Sequence, residues 1–322
     1  MIGDLHFHTT DSDGAKTNAE TIKDILALDT KKQGIWAVTN HDRFSPWFVE
    51  WARSEGLQAL WATEISAHSD ALDLSLHVTC YAPVLSEKIR SLVDVVVAGR
   101  QSKVLGQIAK LRTRGFPIDE WSFFSWIEGY GMSRDAATNW HIAEYIWRQK
   151  DALTIVADLT NGTVKDSIDF LKECLRENGD FAHVGYHKVA RYEPEIDTLA
   201  AIAAEEDIVL SVAHPNFSFT KKLKKEYHAQ NSEEMTRLFW EKIVPIITEA
   251  GIRNYEINAL ALPHWVDVIR ETTRKTWGYI TFGSDNHGLP QSDSKHGILS
   301  VQNIQLSREM SEPIIEKLRL FT

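Results

Sequence analysis

Short β-branched apolar runs alternate along the chain with longer stretches in which apolar residues recur every three or four positions. Runs of the first kind at residues 2–8, 35–39, 57–62, 74–81, 208–213, 255–258 and 279–282 predict strands. Stretches of the second kind predict helices near residues 17–32, 47–54, 194–205, 233–250 and 264–276. Thr17-Asn18-Ala19-Glu20 has the form of a capping box, which places the start of the first helix at Thr17, and Gly34 ends that segment. Strand and helix in repeated alternation imply an α/β chain on a parallel sheet, open or wound into a barrel.

The middle breaks this rhythm. From about residue 86 to 179 the pattern is mostly helical and dense in aromatics, among them Trp121, Phe123, Phe124, Trp126, Trp140 and Trp147. We read residues 1–85 and 180–322 as one barrel body and residues 86–179 as a helical insertion that caps it, with the aromatics either its core or a surface on which a base could stack. A length of 322 residues suits this division, since α/β barrels commonly run to about 250 residues. The basic stretch Lys221 to Lys225 reads as a solvated loop or helix start, or else as a flap meeting an anionic substrate.

Composition adds exclusions. Hydrophobic residues at 43% and charged residues at 25% are ordinary for a globular chain, and a net charge of −10 argues against coating of duplex nucleic acid. Two cysteines, Cys80 and Cys174, are too few for a disulfide framework or an all-cysteine zinc site. The first residues lack the basic and then apolar stretch of a signal peptide, and the apolar runs fall short of the roughly 18 residues a membrane helix needs. A cytoplasmic protein with no membrane contact is the expectation, as a monomer or small oligomer.

Histidine changes the picture, because there are 13 and they fall in a pattern. His6 and His8 share one face at the end of the first strand, with Asp13 in the turn beyond. His41 ends the second strand in Thr39-Asn40-His41-Asp42, and Glu64, His77 and His214 fall at or near later strands. Asp285 and His287 close the series in Gly283-Ser284-Asp285-Asn286-His287. Placed at the C-terminal ends of parallel strands, these nine groups would converge where α/β barrels build active sites. Burying them together is costly unless metal ions organise them. Mixed nitrogen and oxygen ligation without thiolate suits Mn, Zn or Fe. Asp42 is either an acceptor for an imidazole N–H or a turn residue, and His68, His228, His264 and His296 read as surface or structural.

In this order the motifs resemble the PHP (polymerase and histidinol phosphatase) phosphoesterase family. The resemblance implies a distorted (β/α)7 TIM-like barrel with two or three divalent metal ions. It implies that His6, His8, Glu64 and Asp285 hold the first ion, and Glu64, His77 and His214 the second, with Glu64 bridging. Asp13, His41 and His287 would hold the third. Asp13, where some relatives have histidine, is similar to the branch that cleaves nucleotide and oligonucleotide phosphates. That branch carries an R-x-H-[FI]-A pattern; here His141-Ile142-Ala143 is present, but Arg134 lies seven positions before His141 rather than two. Relatives also place a substrate-facing histidine where this chain has Gly185-Tyr186-His187-Lys188, with His183 as the alternative. The implied catalytic groups are Glu64, Asp13, Arg134 and His187, and the implied substrate contacts are Arg134, His141, His187, Lys188 and Arg191.

The expected activity is hydrolysis of phosphate esters of nucleotides or short oligonucleotides by metal-activated hydroxide. The alternatives are a small-metabolite phosphatase of the histidinol-phosphate type, a catalytically silent metal-stabilised binding module, and a metal-dependent amidohydrolase.

Overall fold

The computed structural model describes residues 3–259, 261–287 and 308–322, so His296 lies outside the described residues. The chain divides into two compact units, residues 1–94 with 193–322, and residues 95–192.

The first unit is mixed α/β. Strands β1 (Gly3–Phe7), β2 (Ile35–Val38) and β3 (Gln58–Ala59) form a parallel sheet in that order. A second sheet runs in the order β4 (Trp61–Ser69), β5 (Leu74–Ala82), β6 (Val209–Val212), β7 (Asn254–Asn258) and β8 (Ile280–Gly283). Isolated bridges Phe7–Asn286 and His41–Glu64 join the two sheets, but no sheet closes among the described residues.

The uniform parallel sheet read from the sequence is not what forms. β4 and β5 make an antiparallel hairpin and β5 also runs antiparallel to β6, leaving parallel pairing to β6, β7 and β8. Only residues 70–73 separate β4 from β5, far too few for the crossover that parallel neighbours need. Glu64 and His77 therefore lie inside hairpin strands rather than at the ends of parallel ones. In the hairpin register Glu64 faces Thr79, which stands two residues from His77, so both site candidates share one face.

Helices α1 (Asn18–Leu28) and α2 (Pro46–Ser54) pack on the small sheet around Phe7, Ile22, Trp36 and Phe48. The capping box forms as expected at Thr17 and Glu20. The large core gathers Leu5, Val78, Tyr81, Val212, Ile257 and Phe282 from the sheets, with Leu199 of α9 (Ile196–Glu205) and Ile314 of α14 (Arg308–Arg319). Each such side chain contributes about 1.5–3 kcal/mol by leaving water. The helix expected over residues 233–250 comes in three pieces: α11 (Ser232–Leu238), a π turn at Phe239–Ile243 and α12 (Val244–Glu249). Pro245 explains the break, since its ring excludes the regular backbone bond one turn earlier. Lys221–Lys225 is neither loop nor flap. It forms the second half of α10 (Pro215–Lys225), where Lys222 is buried and paired with Glu226.

The second unit continues from the long α3 (Glu87–Thr113) through α4 (Glu120–Gly129), α5 (Asn139–Trp147), α6 (Lys150–Leu159), α7 (Ser167–Cys174) and the single turn α8 (Ala182–Gly185). Phe123, Ile142, Phe170 and Val184 form its core. Of the six aromatics singled out above, Phe123 and Phe124 are buried, Trp126, Trp140 and Trp147 are half-buried, and Trp121 is exposed. Among the described residues no helix is long and apolar enough to cross a membrane.

Candidate metal centre

All nine ligand candidates meet in the first unit. His6 and His8 arrive on β1 and the residue after it, His41 follows β2, His214 follows β6, and Asp285 and His287 follow β8. β1 and β8 can approach because Gly283 has no side chain: a Cβ there would sit 2.1 Å from the Cβ of His6. Asp4 locks the same junction. It accepts bonds from the backbone N–H of His6 (3.0 Å) and of Ser284 (3.0 Å), and from the Ser284 hydroxyl (2.5 Å). Asp42, His214 and Asp285 carry positive φ angles of 53°, 30° and 53°, left-handed conformations that non-glycine residues adopt at a cost of about 1–2 kcal/mol each.

The Glu64 carboxylate lies at the middle of the cluster, fully buried. Its Oε1 is 3.1 Å from His77 Nδ1 and 2.9 Å from His214 Nε2. Its Oε2 is 2.9 Å from His41 Nδ1, 3.3 Å from His6 Nε2 and 3.4 Å from His8 Nε2. Asp285 Oδ1 stands 3.6 Å from His6 Nε2 and 3.3 Å from His8 Nε2. On the other side of His41, Asp13 Oδ2 is 3.6 Å from His41 Nε2 and 3.5 Å from His287 Nε2, and Asp13 Oδ1 is 3.7 Å from His8 Nδ1. His8 and His41 thus face two ligand groups, one centred on Glu64 and one on Asp13.

These residues fit metal ions better than they fit one another. Glu64 Oε2 is buried and makes no hydrogen bond despite three imidazole nitrogens around it. Such orphans are expensive unless a cation takes them. The ring nitrogens are also presented correctly for ligation. His6 Nδ1–H donates to Glu256 Oε2 at 2.6 Å, and His287 Nδ1–H donates to the Asp285 carbonyl at 2.9 Å, which leaves each Nε2 lone pair facing the cluster.

Electrostatics point the same way. Burial alone would raise the Glu64 carboxyl, yet His41, His6 and His77 hold it well below the carboxylate range. Burial would likewise raise Asp13, and His287 and His41 hold it down. Burial opposes charge on His6, His41 and His287, but Glu256 and Glu64 lift His6, Glu64 and Asp13 lift His41, and Asp13 lifts His287 to about 10. His8 is pushed down to about 3 by burial and by His287 and His41. The centre is a set of fixed carboxylates surrounded by imidazoles, a cation trap.

Sequence reading missed Glu256. Besides holding His6, it accepts the backbone N–H of His214 at 3.4 Å through Oε1. The signal was available: a glutamate between Tyr255 and Ile257 has no place in a buried strand unless it is paired. Asp42 is a turn residue that accepts bonds from the Ser66 N–H (2.7 Å) and hydroxyl (2.9 Å), tying the turn after β2 to β4.

The substrate-contact candidates all lie in the second unit. Arg134 donates to Glu128 at 2.7 Å and 3.4 Å and covers the Phe124 ring. His141 is buried in the first turn of α5, where its Nδ1 accepts the Thr138 N–H at 3.0 Å. The His187 ring lies against α3 at Gly106, where an added Cβ would meet His187 Cδ2 at 2.1 Å. Lys188 is exposed, 3.6 Å from Glu177, and Arg191 and His183 are exposed.

No protein-family model matches this chain, and no curated protein matches it in sequence. In three dimensions it is similar to a candidate metal-dependent phosphoesterase from Bifidobacterium adolescentis, at a TM-score of 0.66 and 18% identity, over 99% of this chain and 96% of that one. It is also similar to an amidohydrolase from Chromobacterium violaceum, solved with sulfate and without metal, at a TM-score of 0.64 and 17% identity, again over 99% and 96%. The shared property is the fold. Both likenesses run over nearly the whole of each chain, so the mixed α/β architecture that carries the cluster is an arrangement found in other proteins.

Proposed function

We propose that the chain is a metal-dependent phosphoesterase that hydrolyses phosphate esters of nucleotides or short oligonucleotides, on a distorted (β/α)7-type barrel. The observation that carries this reading is the buried Glu64 carboxylate with two imidazole nitrogens at one oxygen and three at the other. Such a carboxylate suits sharing between two cations. His6, His8 and Asp285 would complete one position, His77 and His214 the next, and Asp13, His41 and His287 a third. Divalent ions held there supply an activated water and positive charge for phosphoryl oxygens. Glu256 keeps the His6 lone pair turned inward. Asp4 and Gly283 keep β8, and with it Asp285 and His287, against β1. The names of both structural neighbours support a hydrolase, and sulfate in the second has the tetrahedral shape and charge of a phosphate. The bridges Phe7–Asn286 and His41–Glu64 support the barrel reading.

The competing reading is an amidohydrolase, which the name of the second neighbour favours. One assay separates them. Mn-loaded protein is tested against nucleoside mono- and bisphosphates, short RNA, sugar phosphates and a panel of amides. Chelator-sensitive phosphate or mononucleotide release is the expected outcome, with Glu64→Gln lowering turnover by about three orders of magnitude or more. Amide cleavage with no phosphoester turnover, or phosphoester turnover untouched by chelation, overturns the proposal.

A further inference from the structure

We infer that the first unit holds another divalent-cation site, formed by His68, Asp70 and Glu195 and separate from the Glu64 cluster. His68 lies near the far end of β4 from Trp61, opposite Ser75 of β5 in the hairpin register. Its side chain is 6% exposed, and its Nδ1 pairs with the Ser75 hydroxyl at 3.4 Å. The other ring nitrogen, Nε2, is buried and makes no hydrogen bond, although Asp70 Oδ1 stands 3.4 Å away. Buried ring nitrogens lose their hydration without return unless something replaces the water. Here the neighbour is a carboxylate, so a cation between the two resolves the contact.

Glu195 supplies a third ligand atom. Its Oε1 accepts the Asp70 N–H at 2.8 Å, and one ligand atom from each of the three residues lies within 4.8 Å of the other two. The backbone fixes this meeting, because His68 N–H donates to the Pro194 carbonyl at 2.8 Å and His68 bridges to Glu195. Asp70 and Glu195 open onto a cleft of about 440 Å³ that Asp197 and Glu249 also line, with no lysine or arginine among its described lining residues. One imidazole and two carboxylates in an acidic, solvent-reached cleft select zinc or a similar borderline ion over magnesium. A bound ion would pin the β4–β5 hairpin, which carries Glu64 and His77 further along, to the segment that opens α9.

The test is zinc stoichiometry of chelator-stripped full-length protein, compared with Asp70→Asn, Glu195→Gln and His68→Gln. Each variant is expected to bind one zinc ion fewer per chain than wild type, and crystals soaked in zinc are expected to show an anomalous peak at about 2.0–2.1 Å from His68 Nε2. Asp70 is exposed, so its variant keeps the fold even where His68→Gln does not. Equal stoichiometry in wild type and Asp70→Asn, with zinc peaks confined to the Glu64 cluster, overturns the inference. So does an NMR titration showing His68 as an imidazolium paired with Asp70 and indifferent to zinc.

Discussion

Glu256 sits between Tyr255 and Ile257 in β7 and holds two parts of the centre at once, the His6 ring and the His214 backbone. Removing only its charge, in Glu256→Gln, is expected to weaken metal binding by about 10- to 100-fold while leaving the circular dichroism spectrum unchanged, as measured by competition with a chelator. Affinity equal to wild type would show that Glu256 merely fills space. The imidazoles themselves predict a proton signature. Without metal, His287 is lifted to about 10, chiefly by Asp13 working against burial, and His6 and His41 are lifted as well. The His287 contribution to the stability of the metal-free fold is therefore fully present below about pH 6.5, the ordinary histidine value, and is lost as pH rises through about 10. Metal loading near neutrality must displace these protons, so affinity should climb with pH. Calorimetry in two buffers of different ionisation enthalpy should report net proton release, and a buffer-independent heat would contradict it. At this scale the sequence was informative for the groups that could touch an ion, since histidines and carboxylates recur at element ends. For the carboxylate behind them it gave only half a signal, because a glutamate between Tyr255 and Ile257 in a buried strand implies a partner without saying which one.

At the scale of elements, every strand but β4 was legible and the directions were not. Residues 61–69 hold hydrophobic, polar and charged side chains that are nearly all buried, so no alternation marked the strand, and its start was merged with β3 across Leu60. Once β4 extends to Ser69, the four residues before Leu74 admit only an antiparallel return, and the hairpin brings Glu64 and His77 to one face. β8 passes close against β1 at Gly283. In Gly283→Ala the new methyl would fall 2.1 Å from His6 Cβ and 2.9 Å from its Cα, so a strand must shift rather than a flexible side-chain tip. A loss of about 3 kcal/mol is expected in urea unfolding, together with weakened metal binding as Asp285 moves off His6 and His8. An unchanged midpoint would mean that the two strands yield freely.

The first unit is built around a buried cluster of carboxylates and imidazoles that leaves Glu64 Oε2 without a hydrogen bond, so its stability should follow metal occupancy. Loading one site at 100 times its dissociation constant adds about 2.7 kcal/mol, which for a body of this size raises the melting temperature by roughly 5–10 °C. Differential scanning calorimetry before and after chelation measures this, and a melting curve indifferent to chelation would remove metal from the stability of the fold. The overall architecture was legible as alternating α/β with a helical interruption, while the split into two sheets was not, because pairing between β5 and β6 joins residues more than a hundred positions apart. The junction of β1 with β8 has a further consequence, in time rather than in space. His6 and His8 are made well before Asp285 and His287, so a chain still emerging from the ribosome carries one half of the cluster with nothing to close it. Any ion captured at that point would be held by an incomplete and exchangeable set of ligands, and the full set would be available only once synthesis has passed residue 287.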